Sequence, residues 1–424
     1  MAQIQMLKGK DLWTNKLLFA TSMWLTSRLV VVAAMLLIAP LLPVPPRGIA
    51  APFSWEVFSQ WDSLLYKNIA TLGYEYANDG KGHNVAFFPL FPLVVRLVMT
   101  LGLPFEVAGL LVNNLAFLGA LVVLYSWVEE RHGKSAARWA TATLAWCPLS
   151  LFGTVIYSEG LFLLFSTAAL RAFDNKQYAL VALWGGLATA ARPTGMALIP
   201  AFLIAAWRER RPAIAYAASL AAASGLVLFS LYCAIHFGDA LAFVQAQRGW
   251  RPSLGFYWQG WLKMLMLIVV GAKNWKYGSI KDPLHPLLFG TIVGSGYLLW
   301  SFRSKLGSVN AGYGFCALVF FLWLLAGDAS INIAMVLGGG YLLWHLRAQL
   351  SLVTVIYGFC GLGLILVSGG TWSISRIAYG IVSLAIALGV LLAPYPRWGY
   401  ATMGFFFILL VCFALRFAQH LWIA

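Results

Sequence analysis

The sequence has little charge and no long hydrophilic stretch. Only 10% of its 424 residues are charged, whereas 61% are hydrophobic, and soluble domains carry about a quarter of their residues as charged side chains. The mean hydropathy is +0.80. This composition excludes a soluble globular protein and predicts a single integral membrane domain over residues 1–424.

Several catalytic signatures are also missing. The sequence contains no P-loop, GxSxG, HExxH or DxD pattern, so nucleotide hydrolysis, serine hydrolase chemistry and a tightly bound metal lack support. The five cysteines lie in apolar runs without CxxC spacing, which is typical of small buried side chains. We therefore expect no cofactor and no metal site.

Acidic residues are the scarcer charged type, at 14 against 29 lysines and arginines. In a soluble protein this excess would suggest nucleic acid, but in an apolar chain the positive-inside rule explains it more simply. Basic turns near residues 131–138, 171–176, 208–211 and 303–305 then lie on the cytoplasmic side. We expect membrane lipids as partners and no nucleic acid.

What the sequence has in abundance is apolar runs near the roughly 17 to 25 residues that a membrane helix needs. They predict an all-α polytopic protein with about eleven to thirteen transmembrane helices, two of them at about 139–156 and 158–173. Two longer non-cytoplasmic loops are expected, the first at about 41–104 and the second at about 236–283.

The first outer loop has its own pattern. Apolar residues from Phe58 to Leu72 recur at steps of three and four, which predicts an amphipathic helix lying on the membrane interface. The following run, 85–104, is interrupted by Pro89 and Pro92. We expect that run to be re-entrant or to lie on the surface.

Polar residues that could perform chemistry collect on the predicted outer side, where they join the basic second loop. Arginine binds phosphate oxygens through two parallel hydrogen bonds, and an apolar groove holds a lipid tail. The distribution therefore favours chemistry on a lipid-linked phosphate at the outer membrane face. The residues concerned are Asp62, His83, Glu159, Arg192 and Arg376.

Asp62 is the first candidate for a catalytic group, because a carboxylate beside apolar surface can act as a general base on a hydroxyl. The simpler alternative is an interfacial charge. His83 and Asn84 could contact phosphate or sugar, or could be structural. Glu159 could bind substrate or favour a helix amino terminus.

Arg192 and Arg376 are candidates for phosphate binding, and structural ion pairing is the alternative. Tyr66 and Asn113 could contact substrate, or could instead pack and form hydrogen bonds between helices.

Six segments, in this order, resemble the PIG-V family of mannosyltransferases, which are integral membrane glycosyltransferases of the GT-C class. They are WDSLLYKNIATLGY, HNVAFFPLFP, the paired Asn113 and Asn114, YSEGLF, ARPTG and SISRIAYG.

The resemblance implies a GT-C-like bundle and transfer of a sugar, typically mannose from dolichyl phosphate mannose. The donor would be a polyprenyl-phosphate sugar and the acceptor a hydroxyl of a lipid-linked molecule or glycolipid on the non-cytoplasmic face. It also implies inversion at the anomeric carbon, with Asp62 as the base. The ARPTG form and the compact chain favour a prokaryotic relative. The expected location is a bacterial inner membrane with the site facing the periplasm or cell exterior, or the ER lumen in a eukaryote.

A polytopic transporter or flippase of an anionic lipid or solute is the alternative function. Transporters place polar groups near the middle of the membrane and have related halves, whereas this chain collects such groups at one face. Arg28, inside the first apolar run, is the feature that favours a transporter.

Overall fold

The computed structural model describes residues 2–251, 253 and 255–423, with side chains from residue 16 onward apart from Ser308. Within these residues the protein is helical, and the only β-type pairing is an isolated parallel bridge between Gly255 and Ser368. The predicted all-α class is confirmed. Two positions of the second outer loop, 252 and 254, lie outside the described residues.

The amino-terminal third contains one long helix, the predicted first outer loop and a second long helical stretch that is broken at Gly133, where φ is 79° and ψ is 175°. Its α-helices are α1 (Ala2–Ala33), α2 (Asp62–Thr71), α3 (Leu90–Met99) and α4 (Phe105–Trp146). A π-turn (Ala34–Ile38) and a 3-10 turn (Ala39–Leu41) extend α1, and further 3-10 turns occur at Trp55–Phe58 and Asn84–Ala86.

The middle third is a series of shorter helices. They are α5 (Glu159–Asp174), α6 (Tyr178–Ala191), α7 (Leu198–Arg208), α8 (Ala213–Ala221) and α9 (Ser224–Phe237), and then, in the second outer loop, α10 (Ala242–Gln247), α11 (Trp258–Val269) and α12 (Ala272–Tyr277). Two 3-10 segments, Pro148–Gly153 and Pro193–Ala197, precede α5 and α7.

The carboxyl-terminal third completes the bundle. Its helices are α13 (Leu284–Ser301), α14 (Arg303–Ala326), α15 (Asp328–Ile333), α16 (Gly339–His345), α17 (Leu352–Leu366), α18 (Ile374–Tyr379), α19 (Val382–Leu392) and α20 (Pro396–Ala418), with a π-turn at Ala334–Gly338.

Several helices are long and apolar enough to cross a membrane, and the protein is an integral membrane protein. Four described segments meet this test, or five if the pair α8 and α9, bent by 41°, forms one span. Four more apolar helices have 10–17 residues. The predicted eleven to thirteen spans exceed this number because many apolar runs are divided into shorter helices, so that count stays a prediction.

One predicted helix is wrong in its second half. The run 139–156 does not continue as a helix, because α4 ends at Trp146 and Cys147 is extended, with φ −47° and ψ 137°. Pro148 explains the break, since proline disfavours helical backbone in the residue before it and cannot donate a backbone hydrogen bond. The chain then runs irregularly to Ser158 and begins α5 at Glu159.

Arg28 holds this irregular segment in place. Its guanidinium is buried and donates to the carbonyl oxygens of Ser150 at 2.6 Å and Ala145 at 3.1 Å, and to the Thr154 hydroxyl at 2.7 Å. It also lies 4.8 Å from the centre of the Phe117 ring. A buried cation needs such partners, so the contacts of Arg28 are structural.

The helix predicted in the first outer loop is present, and the position of this loop relative to the membrane stays a prediction. The amphipathic helix is α2, and its buried residues include Tyr66 and Ile69. The proline-containing run forms only the ten-residue α3, about 15 Å at 1.5 Å per residue, which is too short to cross a membrane. α3 packs against α2 and α4 and so supports the loop that carries Asp62.

Candidate active site

A cavity of about 650 Å³ opens between the two predicted outer loops. Its walls combine ionic, aromatic and aliphatic side chains. The polar and charged lining residues include Asp62, Tyr66, Arg192, Gln247, Arg248, Arg251 and Arg376, the aromatic ones include Trp61, Phe87, Trp250, Trp372 and Trp422, and the aliphatic ones include Met196, Val244, Leu364, Ile365 and Val367.

Asp62 reaches the cavity because it is the first residue of α2, where the helix dipole favours an acid. Its backbone N–H donates to the Tyr157 hydroxyl at 3.3 Å. Tyr66 lies one turn later, and residues four apart share a helix face. The Tyr66 and Ser158 hydroxyls are 2.8 Å apart, so α2 is tied to the segment that precedes α5.

Arg376 is the partner of Asp62. It lies in the short helix α18, and its Nη1 is 2.7 Å from Asp62 Oδ2. Its guanidinium carbon lies 5.3 and 5.2 Å from the ring centres of Phe152 and Tyr157, in the geometry of cation–π contacts. The side chain is 13% exposed, so it is mostly buried but reaches the cavity.

Glu159 lies behind this pair and joins two arginines. Its side chain is 2% exposed; Oε1 is 3.4 Å from Arg376 Nε and also forms an ion pair with Arg192 Nη1. It occupies the first turn of α5. Gly160 follows, and a side chain there would collide with the backbone and side-chain oxygens of Asn113, so glycine permits α5 to approach α4 closely.

Arg192 reaches the cavity because a proline ends α6. Its backbone is extended, with φ −153° and ψ 147°, as expected of a residue before proline. Its Nη1 donates to the Ser158 hydroxyl at 3.4 Å. Gly195 packs against backbone atoms of Ala188 and Thr189 with no room for a side chain, which explains why the ARPTG turn is tight.

The protonation of three of these groups follows from their surroundings. Burial raises the pKa values of the Tyr66 and Tyr157 phenols, so both stay protonated at neutral pH. Burial acts to lower the pKa of the Arg376 guanidinium, but the charges of Asp62 and Glu159 outweigh it and raise that pKa. Arg376 is therefore a permanent cation.

The predicted second outer loop brings the positive charges of Arg248 and Arg251 to the cavity. Ser253 N–H donates to the Gly369 carbonyl at 3.1 Å, which joins the loop to the end of α17. Arg251 Nη1 donates to the Ser368 hydroxyl at 3.4 Å. Burial, and then the nearby charge of Arg376, lower the pKa of Arg251. Two arginines that repel each other across a cavity favour an anion between them.

Four predicted site residues are not among those that line the cavity: Glu159, which lies behind Asp62 and Arg376, and Asn113, Asn84 and His83. The Asn113 amide donates to the carbonyls of Phe152 at 2.8 Å and Val155 at 2.6 Å, and its oxygen accepts from Gly160 N–H at 2.7 Å. These three hydrogen bonds hold the segment before α5, and the first turn of α5, in place.

Asn84 and His83 have comparable local contacts. The Asn84 side chain accepts from Glu75 N–H at 2.8 Å and donates to the Gly73 carbonyl at 3.1 Å. His83 Nε2 lies 2.8 Å from Asp79 Oδ1. Contact of Asn113, Asn84 or His83 with substrate stays a prediction.

Sequence reasoning missed Tyr157, Trp372 and Trp422. Tyr157 directly precedes Ser158 and Glu159, so its position in YSEGLF is a signal that could have been used. No sequence pattern near Trp372 or Trp422 marks either residue as part of a site. Packing between segments far apart in the chain brings them to the cavity.

Among the described side chains, no group of three or more His, Cys, Asp or Glu is placed to hold a metal ion. Asp62 and Glu159 form ion pairs with arginine. The expectation that the protein uses no cofactor stays a prediction.

The helical fold, with a charged and aromatic cavity between the two predicted outer loops, is that of an integral membrane protein with an enzyme-like site. Residues 13–247 match the family described as mannosyltransferase (PIG-V). Because this match spans more than half of the chain, the protein belongs to that family, and the resemblance seen in the sequence is confirmed.

Among solved structures, the protein is similar to an oligosaccharyltransferase and to ArnT. The oligosaccharyltransferase of Archaeoglobus fulgidus in the apo form has a TM-score of 0.47 and 13% identity, over 93% of this chain and 56% of that chain. ArnT of Cupriavidus metallidurans bound to undecaprenyl phosphate has a TM-score of 0.37 and 14% identity, over 91% of this chain and 78% of that one. The protein thus spans little more than half the length of the archaeal enzyme. A comparison with curated proteins gave no match.

Proposed function

We propose that the protein is an inverting glycosyltransferase that moves a sugar, mannose by its family, from a polyprenyl-phosphate donor to a hydroxyl of a lipid-linked acceptor. The observation that carries the proposal is the 2.7 Å contact between Asp62 and Arg376 at the cavity wall. In this proposal Asp62 is the base for the acceptor hydroxyl, and the adjacent Arg376 is the cation that binds the donor phosphate.

The reaction is a single displacement at the anomeric carbon. The acceptor hydroxyl gives its proton to the Asp62 carboxylate as its oxygen forms a bond to the anomeric carbon. The bond from that carbon to the phosphate oxygen breaks, and its electron pair leaves with the polyprenyl phosphate. Arg376 and Arg251 stabilise the charge that develops on the phosphate. Attack opposite to the leaving group inverts the anomeric configuration.

Without substrate, Asp62 and Arg376 neutralise each other. A donor phosphate that binds Arg376 competes with Asp62 and leaves the carboxylate free to accept the acceptor proton. Glu159, which is almost fully buried, keeps Arg376 and Arg192 in position during this exchange. The donor therefore prepares the base, which favours donor binding before acceptor binding.

The positive excess of the cavity supports an anionic donor. The negative charges of Asp62 and Glu159 neutralise the positive charges of Arg192 and Arg376. The lining residues Arg248 and Arg251 add two further positive charges. The aliphatic residues of α17 that line the same cavity suit a prenyl chain.

We place the cavity on the non-cytoplasmic side, because the basic turns at 131–138, 208–211 and 303–305 mark the cytoplasmic side by the positive-inside rule. The proposed location is a bacterial inner membrane with the cavity facing the periplasm or cell exterior. In a eukaryote the corresponding side would be the ER lumen.

Label transfer distinguishes an enzyme from a transporter. Protein in lipid vesicles is given polyprenyl-phosphate mannose with a radiolabelled sugar, together with an extract of membrane lipids as acceptor. We expect the label in a new lipid product, no such product with Asp62→Asn, and normal product with Glu75→Gln, which alters an exposed acid of the same loop. Label that crosses the membrane while still attached to its donor would instead favour a flippase.

A further inference from the structure

Three tryptophans meet at the cavity beside Asp62. The rings of Trp61 and Trp422 are perpendicular with centres 5.1 Å apart, and those of Trp372 and Trp422 are 5.7 Å apart. All three line the cavity. We call Trp61, Trp372 and Trp422 the tryptophan platform.

The platform is coupled to the proposed base through the backbone. Trp61 directly precedes Asp62 and has φ 57° and ψ −116°, a conformation that is rare for a bulky residue. Such a conformation persists only where surrounding contacts enforce it. The His420 ring, 4.6 Å from the Trp61 ring, and Trp422 supply them.

The segment that carries Trp422 is held at several points. After α20 it turns over the first outer loop, where Ile49 N–H donates to the Gln419 carbonyl at 2.9 Å. The Gln419 side chain donates to the Pro43 carbonyl at 3.1 Å. Arg416 donates to the Trp422 carbonyl at 2.6 Å and forms a two-point ion pair with Asp328, at 2.8 Å for each contact.

Two platform residues keep much of their surface free. Trp372 is 58% and Trp422 43% exposed. Tryptophans of a membrane protein often face lipid head groups, but these two lie on the wall of the cavity that contains Asp62 and Arg376. Their free faces are thus available to a ligand of that cavity.

The chemistry of the free surface favours a sugar ring. Aromatic faces are electron-rich, and a pyranose presents a flat patch of C–H groups that packs on them while its hydroxyls point outward. A prenyl chain has a different wall available, formed by the aliphatic residues Leu364, Ile365 and Val367. Because the platform adjoins Asp62, a ring held there would present a hydroxyl to the base.

We propose that the tryptophan platform is the subsite for a sugar ring of the acceptor, so the acceptor is a glycolipid whose terminal saccharide stacks on Trp372 and Trp422. The inference rests on the proposed role of Asp62. Trp372 and Trp422 lie beyond the matched residues 13–247, so the family match does not assign this role.

The test is binding of methyl α-D-mannopyranoside, measured by saturation-transfer NMR on the full chain in lipid nanodiscs, which avoids sugar-based detergents. We expect saturable binding to wild type and about three- to tenfold weaker binding to Trp422→Ala and Trp372→Ala, the range typical of one aromatic contact. Trp422→Phe should retain most of the binding. The matched control is Trp344→Ala, since Trp344 is also 58% exposed and is not among the cavity residues.

Polyprenyl phosphate binding checks that each variant is folded. Two results would contradict the proposal that the tryptophan platform binds a sugar. One is equal sugar binding by wild type and both folded alanine variants, and the other is no saturable binding to wild type. Asp62→Asn separates this inference from the proposed function: it should keep the sugar signal and lose label transfer. Transfer that persists in Asp62→Asn contradicts the proposed function, whatever the platform variants do.

Discussion

Replacing Asp62 by asparagine should separate binding from catalysis, with opposite effects on the two. The substitution keeps the size of the side chain and removes the charge that pairs with Arg376. We expect transfer to fall by about 10²- to 10⁴-fold, the usual contribution of a general base. Affinity for polyprenyl phosphate should rise, because Arg376 no longer has Asp62 as a competing partner.

The expected rise in affinity for polyprenyl phosphate follows from the strength of the ion pair between Asp62 and Arg376. At 2.7 Å, with side chains 13% and 20% exposed, the attraction between the charges is about 6 kcal/mol at an effective dielectric constant of about 20. Most of this is offset by desolvation, and a hydrogen bond to a charged group contributes about 1.5 to 3 kcal/mol net. Since Glu159 still balances Arg376, we expect the dissociation constant to fall by about ten- to a hundredfold.

The assay is equilibrium binding of polyprenyl phosphate to the protein in nanodiscs, with thermal unfolding as the check on folding. Glu130→Gln is the matched control, because Glu130 pairs with Arg171 at 2.6 Å and neither residue lines the cavity. Weaker or unchanged binding by folded Asp62→Asn would refute the competition between Asp62 and phosphate for Arg376.

Four further substitutions test other parts of the site. Glu159→Gln leaves two arginines without their shared carboxylate, so transfer should be lost and the free energy of unfolding should fall by about 3 kcal/mol, measured by denaturant titration. Arg251→Ala should weaken polyprenyl phosphate binding about tenfold, by loss of one charged contact. Asn113→Ala removes the side-chain partner of the Phe152 carbonyl and of Gly160 N–H, whereas the Val155 carbonyl still accepts from Tyr157 N–H at 2.8 Å, and it should lower the free energy of unfolding by about 3 kcal/mol. His83→Ala should keep initial transfer rates within about twofold, because the ring pairs with Asp79 away from the cavity lining.

For each of these four predictions, a specific result would contradict it. A Glu159→Gln protein that is as stable and active as wild type would mean that the buried acid does not hold the arginines. Lys276 is an exposed lysine of the same loop. If Arg251→Ala and Lys276→Ala lose the same affinity for polyprenyl phosphate, Arg251 acts only through the net positive charge of the loop and not by direct contact. A stable Asn113→Ala protein with weakened acceptor binding, or a large loss of transfer in His83→Ala, would support the substrate contacts that the sequence predicts.

Local features of the site could be predicted from the sequence because their causes are local. The three- and four-residue spacing around Asp62 predicts α2 and places Tyr66 on the same face. The proline after Arg192 ends a helix and leaves that arginine extended. Such effects act within one or two turns, so a single sequence contains the information.

The pairing of Asp62 with Arg376 could not be predicted, because it depends on packing between residues far apart in the chain. Hydropathy also cannot distinguish a helix from an irregular buried segment, which is why the stretch after Trp146 was predicted to be helical. Asn113 illustrates a third limit, since an asparagine that binds substrate and one that fixes the backbone look the same in a sequence.

The most direct test of the central claim is a single-turnover reaction with polyprenyl-phosphate mannose of known anomeric configuration and an acceptor lipid extract. We expect one polyprenyl phosphate released for each sugar transferred, a product of inverted anomeric configuration by NMR, and neither with Asp62→Asn. Retained configuration, or transfer at the wild-type rate by folded Asp62→Asn, would contradict a single displacement with Asp62 as its base.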